Sequence, residues 1–172
     1  MLEYVNALAA QYRSRGLLLD TSPLLILYLG LYAPEQIERF SRTKSEGFTR
    51  KDYEFIRAFV GGFDRLVTTP HILTEVSNFL GQLHGHVRSG CFEAFAKHVA
   101  EATTHEHSPP AEELSGRMEF ITFGITDASI AEVAGKECLV LTTDAKLHAH
   151  LARQGVASLN YNNFRLLLPS QA

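Results

Sequence analysis

Cysteine is scarce in this chain of 172 residues. Only Cys91 and Cys138 occur, too few and too far apart for a disulfide framework or a cysteine-rich metal knot. They fit a reducing compartment. No apolar run is long enough to span a bilayer. The opening Met-Leu-Glu-Tyr lacks the basic stretch and apolar core of a secretion signal. The expectation is a cytoplasmic protein without membrane contact. Basic charge is not in excess either. The net charge is −3, so the overall field does not announce a polyanionic partner. Internal repeats, low-complexity segments, a glycine-rich phosphate loop and a Ser-His-Asp or Cys-His arrangement are all missing.

What remains is ordinary in composition, at 45% hydrophobic and 20% charged residues. A chain of this length folds as one domain and buries roughly 70% of its unfolded surface without staples. The domain is expected to run over 1–172, with an added helix at 1–15 and a helical insertion at 34–63. Seven of the sixteen basic residues fall in 39–65: Arg39, Arg42, Lys44, Arg50, Lys51, Arg57 and Arg65. Arg42, Lys44, Arg50 and Lys51 are candidates for contacting substrate phosphates. A solvated pair of mixed-charge helices is the plainer reading of the same stretch.

The pattern is α/β. Gly16-Leu17-Leu18-Leu19-Asp20-Thr21-Ser22-Pro23 reads as a buried strand that ends in a carboxylate and then opens a helix, with Ser22 as its cap and Pro23 at its first position. Leu66-Val67-Thr68 and Cys138-Leu139-Val140-Leu141-Thr142 repeat that design, each running into hydroxyls and a new helix. Further strands are expected at 102–108 and 156–159. Helices are expected at 2–15, from 24 to about 31, from Pro34 through Phe40, after Thr49 (a capping box with Asp52), from Pro70, after Ser89, from Pro110 to Gly124, from Thr126, and after Asp144. Residues 41–48 read as a polar loop, and 164–168 closes the fold. Strands alternating with helices imply a parallel sheet covered on both faces, with right-handed crossovers.

Four acids stand out on this scheme. Asp20 and Asp144 each follow a parallel strand, so both belong to the C-terminal edge of the sheet, where open α/β folds bind ligands. Glu75 lies on the helix after the second strand and leans towards its N-terminus. Asp127 opens the helix that leads into the Cys138 strand. Taken singly, an Asp in a first helical turn is a cap. Taken together, anions in one pocket repel and raise one another's pKa unless a cation joins them. Carboxylates flanked by hydroxyls are hard oxygen ligands of the kind that suit Mg²⁺ or Mn²⁺.

These motifs resemble those of the PIN-domain nucleases, a family that includes the toxins of VapBC toxin–antitoxin pairs. The matching residues are Leu18-Leu19-Asp20-Thr21-Ser22, the Glu75 helix after Thr69-Pro70, Thr126-Asp127-Ala128-Ser129-Ile130-Ala131, and Leu139-Val140-Leu141-Thr142-Thr143-Asp144. The resemblance covers 16–168 and rests on the order and spacing of the motifs. It implies a three-layer α/β/α domain with a mainly parallel sheet of about five strands. It implies a divalent-metal-dependent endoribonuclease, with Asp20, Glu75, Asp127 and Asp144 as catalytic and metal residues and Mg²⁺ or Mn²⁺ as cofactor. Thr21, Ser22 and Thr142 match supporting hydroxyl positions. RNA is the implied substrate, and a small antitoxin protein and a second copy of the chain are the implied partners. Two features depart from the family: the chain is longer than a small toxin, and Leu147 replaces the usual aromatic after the last acid.

Two other readings use the same residues. One is a catalytically inactive PIN fold serving as an RNA-binding or assembly module. The other is an aspartyl-phosphate enzyme, for which Asp20-Thr21-Ser22 lacks the second Asp of an Asp-x-Asp signature. Three His-x-His pairs (His84/His86, His105/His107 and His148/His150) read as structural or surface residues, the first two on loops, since positions two apart do not share a helical face; a zinc site built from them is the alternative. His148, one turn after Asp144, is placed within reach of substrate.

Overall fold

Five short strands form one sheet: β1 (Leu17–Leu19), β2 (Leu66–Thr68), β3 (Thr104–Glu106), β4 (Leu139–Thr142) and β5 (Ser158–Asn160). The computed structural model describes residues 1–101, 103–135 and 138–167. All neighbouring strands pair in parallel, in the order β3-β2-β1-β4-β5. The sequence accounts for this order. β1 is three leucines, all buried, as a central strand covered on both faces must be. β3 is Thr-His-Glu and mostly exposed, a polar edge that discourages further pairing.

Ten helices flank the sheet among the described residues. They are α1 (Leu2–Tyr12), α2 (Thr21–Tyr32), α3 (Ser41–Ser45), α4 (Arg50–Val60), α5 (Pro70–Leu80), α6 (Gly85–Val99), α7 (Ala111–Ser115), α8 (Met118–Phe123), α9 (Ile125–Ala134) and α10 (Ala145–Arg153). The architecture is three-layer α/β/α, as the strand–helix alternation predicts. α2 is apolar all round and packs against α4, α5 and α6. Gly30 makes the α2–α4 approach feasible, because a Cβ there would lie 2.0 Å from the Tyr53 ring. α10 covers β4 and β5, and α1 reaches β4.

The chain leaves β1 for β2 and β3 on one side, then returns to β4 and β5 on the other. The order therefore reverses between β1 and β4. A crevice opens beyond the carboxyl ends of strands at such a reversal. Asp20 follows β1 there and Asp144 closely follows β4, so the topology alone brings together two residues 124 positions apart.

Several local expectations differ from the structure. Asp20, not Ser22, caps α2, because its carboxylate accepts from the Thr21 amide at 2.6 Å. Pro23 then falls within the first turn, where a missing N–H costs no helical bond. The helix expected after Pro34 is only a 3₁₀ turn, Pro34–Gln36. The expected loop at 41–48 contains α3, whose buried Thr43 donates to the carbonyls of Ile37 and Phe40. α6 begins at Gly85, ahead of Ser89, and the Ser89 hydroxyl bonds back to the carbonyls of Gly85 and His86. The helix expected from Pro110 to Gly124 is broken at Gly116 and Arg117 into α7 and α8, leaving Met118 and Ile121 exposed. The last strand starts two residues later than expected, at Ser158. The Thr49–Asp52 capping box forms as read, with the Thr49 amide 2.7 Å from Asp52 Oδ2. The ends of two expected elements, Ala102 and Leu168, lie outside the described residues.

Candidate functional site

At the sheet reversal stands Asp20, 8% exposed, immediately after β1. Its two oxygens take different donors: the Thr21 amide at 2.6 Å and the Thr142 hydroxyl at 2.6 Å. Thr142 ends β4, and its oxygen also accepts from the Asp144 amide at 2.9 Å. Asp144 is exposed at the mouth and caps α10 through the amides of Lys146 and Leu147. One hydroxyl thus links the first and last acids.

A second chain of hydroxyls fixes Glu75. Its carboxylate accepts from Thr21 Oγ1 at 2.9 Å and from Thr126 Oγ1 at 2.6 Å. Thr126 stands beside Asp127 in the first turn of α9. The relative position of α5 and α9 is set below this by a buried bond between Thr69 and Ser129, 3.0 Å. Thr69 also caps α5 by accepting from the Ile72 amide. The local sequence explains the design. Thr69 satisfies an unpaired helix amide, whereas Thr21, Thr126 and Thr142 donate to the carboxylates.

Two of the four acids, Asp20 and Asp127, are shifted by burial and by the charges of the others. Burial pushes the Asp20 carboxyl above its ordinary range; hydrogen bonds from Thr142 and Thr21 oppose this, and the charges of Glu75 and Asp144 add to it. Asp127 is pushed up to about 7, first by burial, then by the charges of Asp20, Asp144 and Glu75. Among the described residues none of the four pairs with lysine or arginine. Each is instead satisfied by neutral donors or stands alone.

The donor chemistry suits a hard divalent cation, because it is all oxygen, anionic and uncompensated. The spacing is less closed. Among the described residues no three His, Cys, Asp or Glu side chains form a ready-made ligand group. Thr21 and Thr142 reach the acids directly. Ser22 instead turns to Glu46, donating to its carboxylate at 3.2 Å.

Of the four basic candidates, Arg42 reaches this edge, 3.2 Å from Ser22 Oγ. Arg50 pairs with Glu54 at 3.1 Å, and Lys44 and Lys51 are exposed. The histidines do not join the acids. His84 precedes α6, His105 lies in β3, His148 bonds Ser158 at 2.9 Å, and His150 bonds Glu119 at 2.9 Å. His148 is thereby held towards the start of β5, away from the carboxyl edge, which corrects its expected approach to substrate.

Glu46 and Thr126 were not foreseen as participants. Glu46 sits four residues after Arg42, a helical pairing hidden by reading 41–48 as a loop. Comparison with protein-family models gives no match, and comparison with curated proteins gives none.

Proposed function

We propose that this chain is a divalent-cation-dependent endoribonuclease of the PIN type, cleaving RNA phosphodiester bonds. One observation supports the reading: Asp20, Glu75, Asp127 and Asp144 come from four separate segments, the charges of the others bear on Asp20 and Asp127, and among the described residues none of the four pairs with a lysine or arginine. Caps need not converge, whereas ligands of a shared ion must. Asp20, Glu75, Asp127 and Asp144 would hold Mg²⁺ or Mn²⁺, which supplies Lewis-acid stabilisation of charge on the phosphoryl group. The chain's own contribution is orientation. Thr142 and Thr21 fix Asp20, while Thr21 and Thr126 fix Glu75. Asp127, with its raised pKa, can hold a proton near neutral pH, and exposed Asp144 leaves the crevice open to a strand whose bases splay outward.

The buried free thiols of Cys91 and Cys138 agree with a cytoplasmic setting. Among the described residues no helix is long and apolar enough to cross a membrane. A small antitoxin protein and a second copy of the chain are the partners that the PIN resemblance suggests. The spacing of the acids favours one other reading, an inactive PIN fold that binds RNA or assembles with partners.

The test is cleavage of single-stranded RNA with Mn²⁺ by the wild type, Asp20→Asn and Asp144→Asn. Cleavage by the wild type alone is expected. Metal-dependent cleavage that survives both substitutions overturns the assignment. Calorimetric titration with Mn²⁺ separates the enzyme from the inactive module, which would take up no ion.

A further inference from the structure

Beside the four acids lies a cluster of donors already holding an anion. The Glu46 carboxylate accepts from Ser22 Oγ at 3.2 Å and from Thr143 Oγ1 at 3.4 Å, and it pairs with Arg42 Nη2 at 3.1 Å. Each donor adjoins the crevice. Ser22 is two residues from Asp20 and in the first turn of α2, Thr143 precedes Asp144, and Arg42 lies over the Phe79 ring at 5.2 Å, one turn beyond Glu75. Arg42 itself is 42% exposed by side chain, so a strand lying in the crevice can reach it.

Glu46 is held from behind. Arg165 donates to the carbonyls of Glu46 and Gly47 at 3.1 and 2.7 Å, and its Nη2 lies 3.0 Å from buried Asp52. Gly47 takes φ +68°, a left-handed turn that suits glycine. The main chain is thus anchored, while the carboxylate end rests on exposed Arg42, half-buried Thr143 and buried Ser22. A guanidinium, two hydroxyls and a helix N-terminus are also what a phosphodiester oxygen requires.

We propose that Arg42, Ser22 and Thr143 form a phosphodiester contact for single-stranded RNA, occupied by the Glu46 carboxylate in the free protein and ceded by it when RNA binds. This rests on the nuclease reading of the crevice and names the residues that seat the substrate backbone. Phe79 and the ion pair position Arg42; Glu46 competes with the ligand.

The experiment is fluorescence anisotropy of a labelled single-stranded oligoribonucleotide in EDTA, over a salt series, with melting curves verifying that each variant folds. Arg42→Ala should weaken binding about tenfold, the loss of one charge-assisted contact, and lower the salt slope by roughly 0.7, the loss of one phosphate neutralised on a single strand. Arg42→Lys should keep the slope and part of the affinity. Glu46→Gln should tighten binding, because the resident anion is gone. Wild-type affinity and slope in Arg42→Ala overturns the proposal, as does weakening in Glu46→Gln equal to that in Arg42→Ala. Mn²⁺ calorimetry on the same proteins distinguishes the two levels. Arg42-dependent RNA binding without Mn²⁺ uptake leaves this contact standing and removes the nuclease. Mn²⁺ uptake with Arg42 dispensable does the reverse.

Discussion

Two sets of carboxylates in this molecule are treated in opposite ways. Away from the crevice, Glu119 is 5% exposed and surrounded by partners: His150 at 2.9 Å, Gln154 at 2.8 Å and Arg117 at 3.3 Å. Its pKa falls to about 2, chiefly through the His150 bond. Asp52, equally buried, has Arg165 and the Tyr161 hydroxyl at 3.0 and 2.7 Å. In the crevice, Asp20 is almost as buried, yet only amides and hydroxyls answer it, and its pKa rises. Among the described residues the chain pairs arginine with the carboxylates that tie helices together and with none of the four acids at the sheet reversal. The difference lies in placement, since composition provides enough arginine for both.

The largest effect should come from the paired set. Glu119→Ala takes the carboxylate partner from His150 and Gln154 and leaves Arg117 with Glu132 alone, and should cost about 2–3 kcal/mol, measured by urea denaturation. A cost below about 1 kcal/mol would erase the contrast, since that is what an exposed pair contributes.

The unpaired set should answer to an added cation instead. At ten times its dissociation constant, Mn²⁺ should stabilise the wild type by about 1.4 kcal/mol. The double variant Asp20→Asn/Asp144→Asn should show no such rise in melting temperature. An equal rise in both would place the ion elsewhere.

The smallest effect is the most diagnostic in sign. Asp127 titrates near 7 instead of 3.8, so the folded state holds its proton more tightly than the unfolded state. That contribution is complete below pH 3.8 and is lost as pH rises through about 7. Glu119 runs the other way: its contribution is present above pH 4.5 and disappears as pH falls through about 2. Asp127→Asn should therefore stabilise the protein at pH 8, by less than about 1 kcal/mol after solvent screening. Destabilisation at that pH would mean the carboxylate has a favourable partner.

Much of this was legible in the sequence because the signals are local. Three buried leucines, a Thr-Pro helix start and an apolar run ending in Thr142 each specify an element by themselves. Parallel strands then put Asp20 and Asp144 on one edge by topology. What escaped was tertiary. Nothing near Ser22 in sequence shows that Asp20 will claim the cap while the Ser22 hydroxyl turns to Glu46. The turn at Gly116 and Arg117 follows from Arg117 reaching both Glu119 and Glu132, and periodicity does not report that demand. Arg42 and Arg50 look alike as letters, but Phe79 takes one guanidinium and Glu54 the other.

The pairing of β4 with β1, Leu17 against Leu139, also dictates a schedule. A growing polypeptide can assemble the β1–β2–β3 half long before residue 139 emerges, because those segments come first and long-range closure is slow. Until then the Leu17–Leu19 edge stays open to mispairing, and Asp20 has neither Thr142 nor Asp144 beside it. The carboxylate cluster is therefore among the last features completed during synthesis, and a prematurely ended product would carry half a sheet and only part of that cluster.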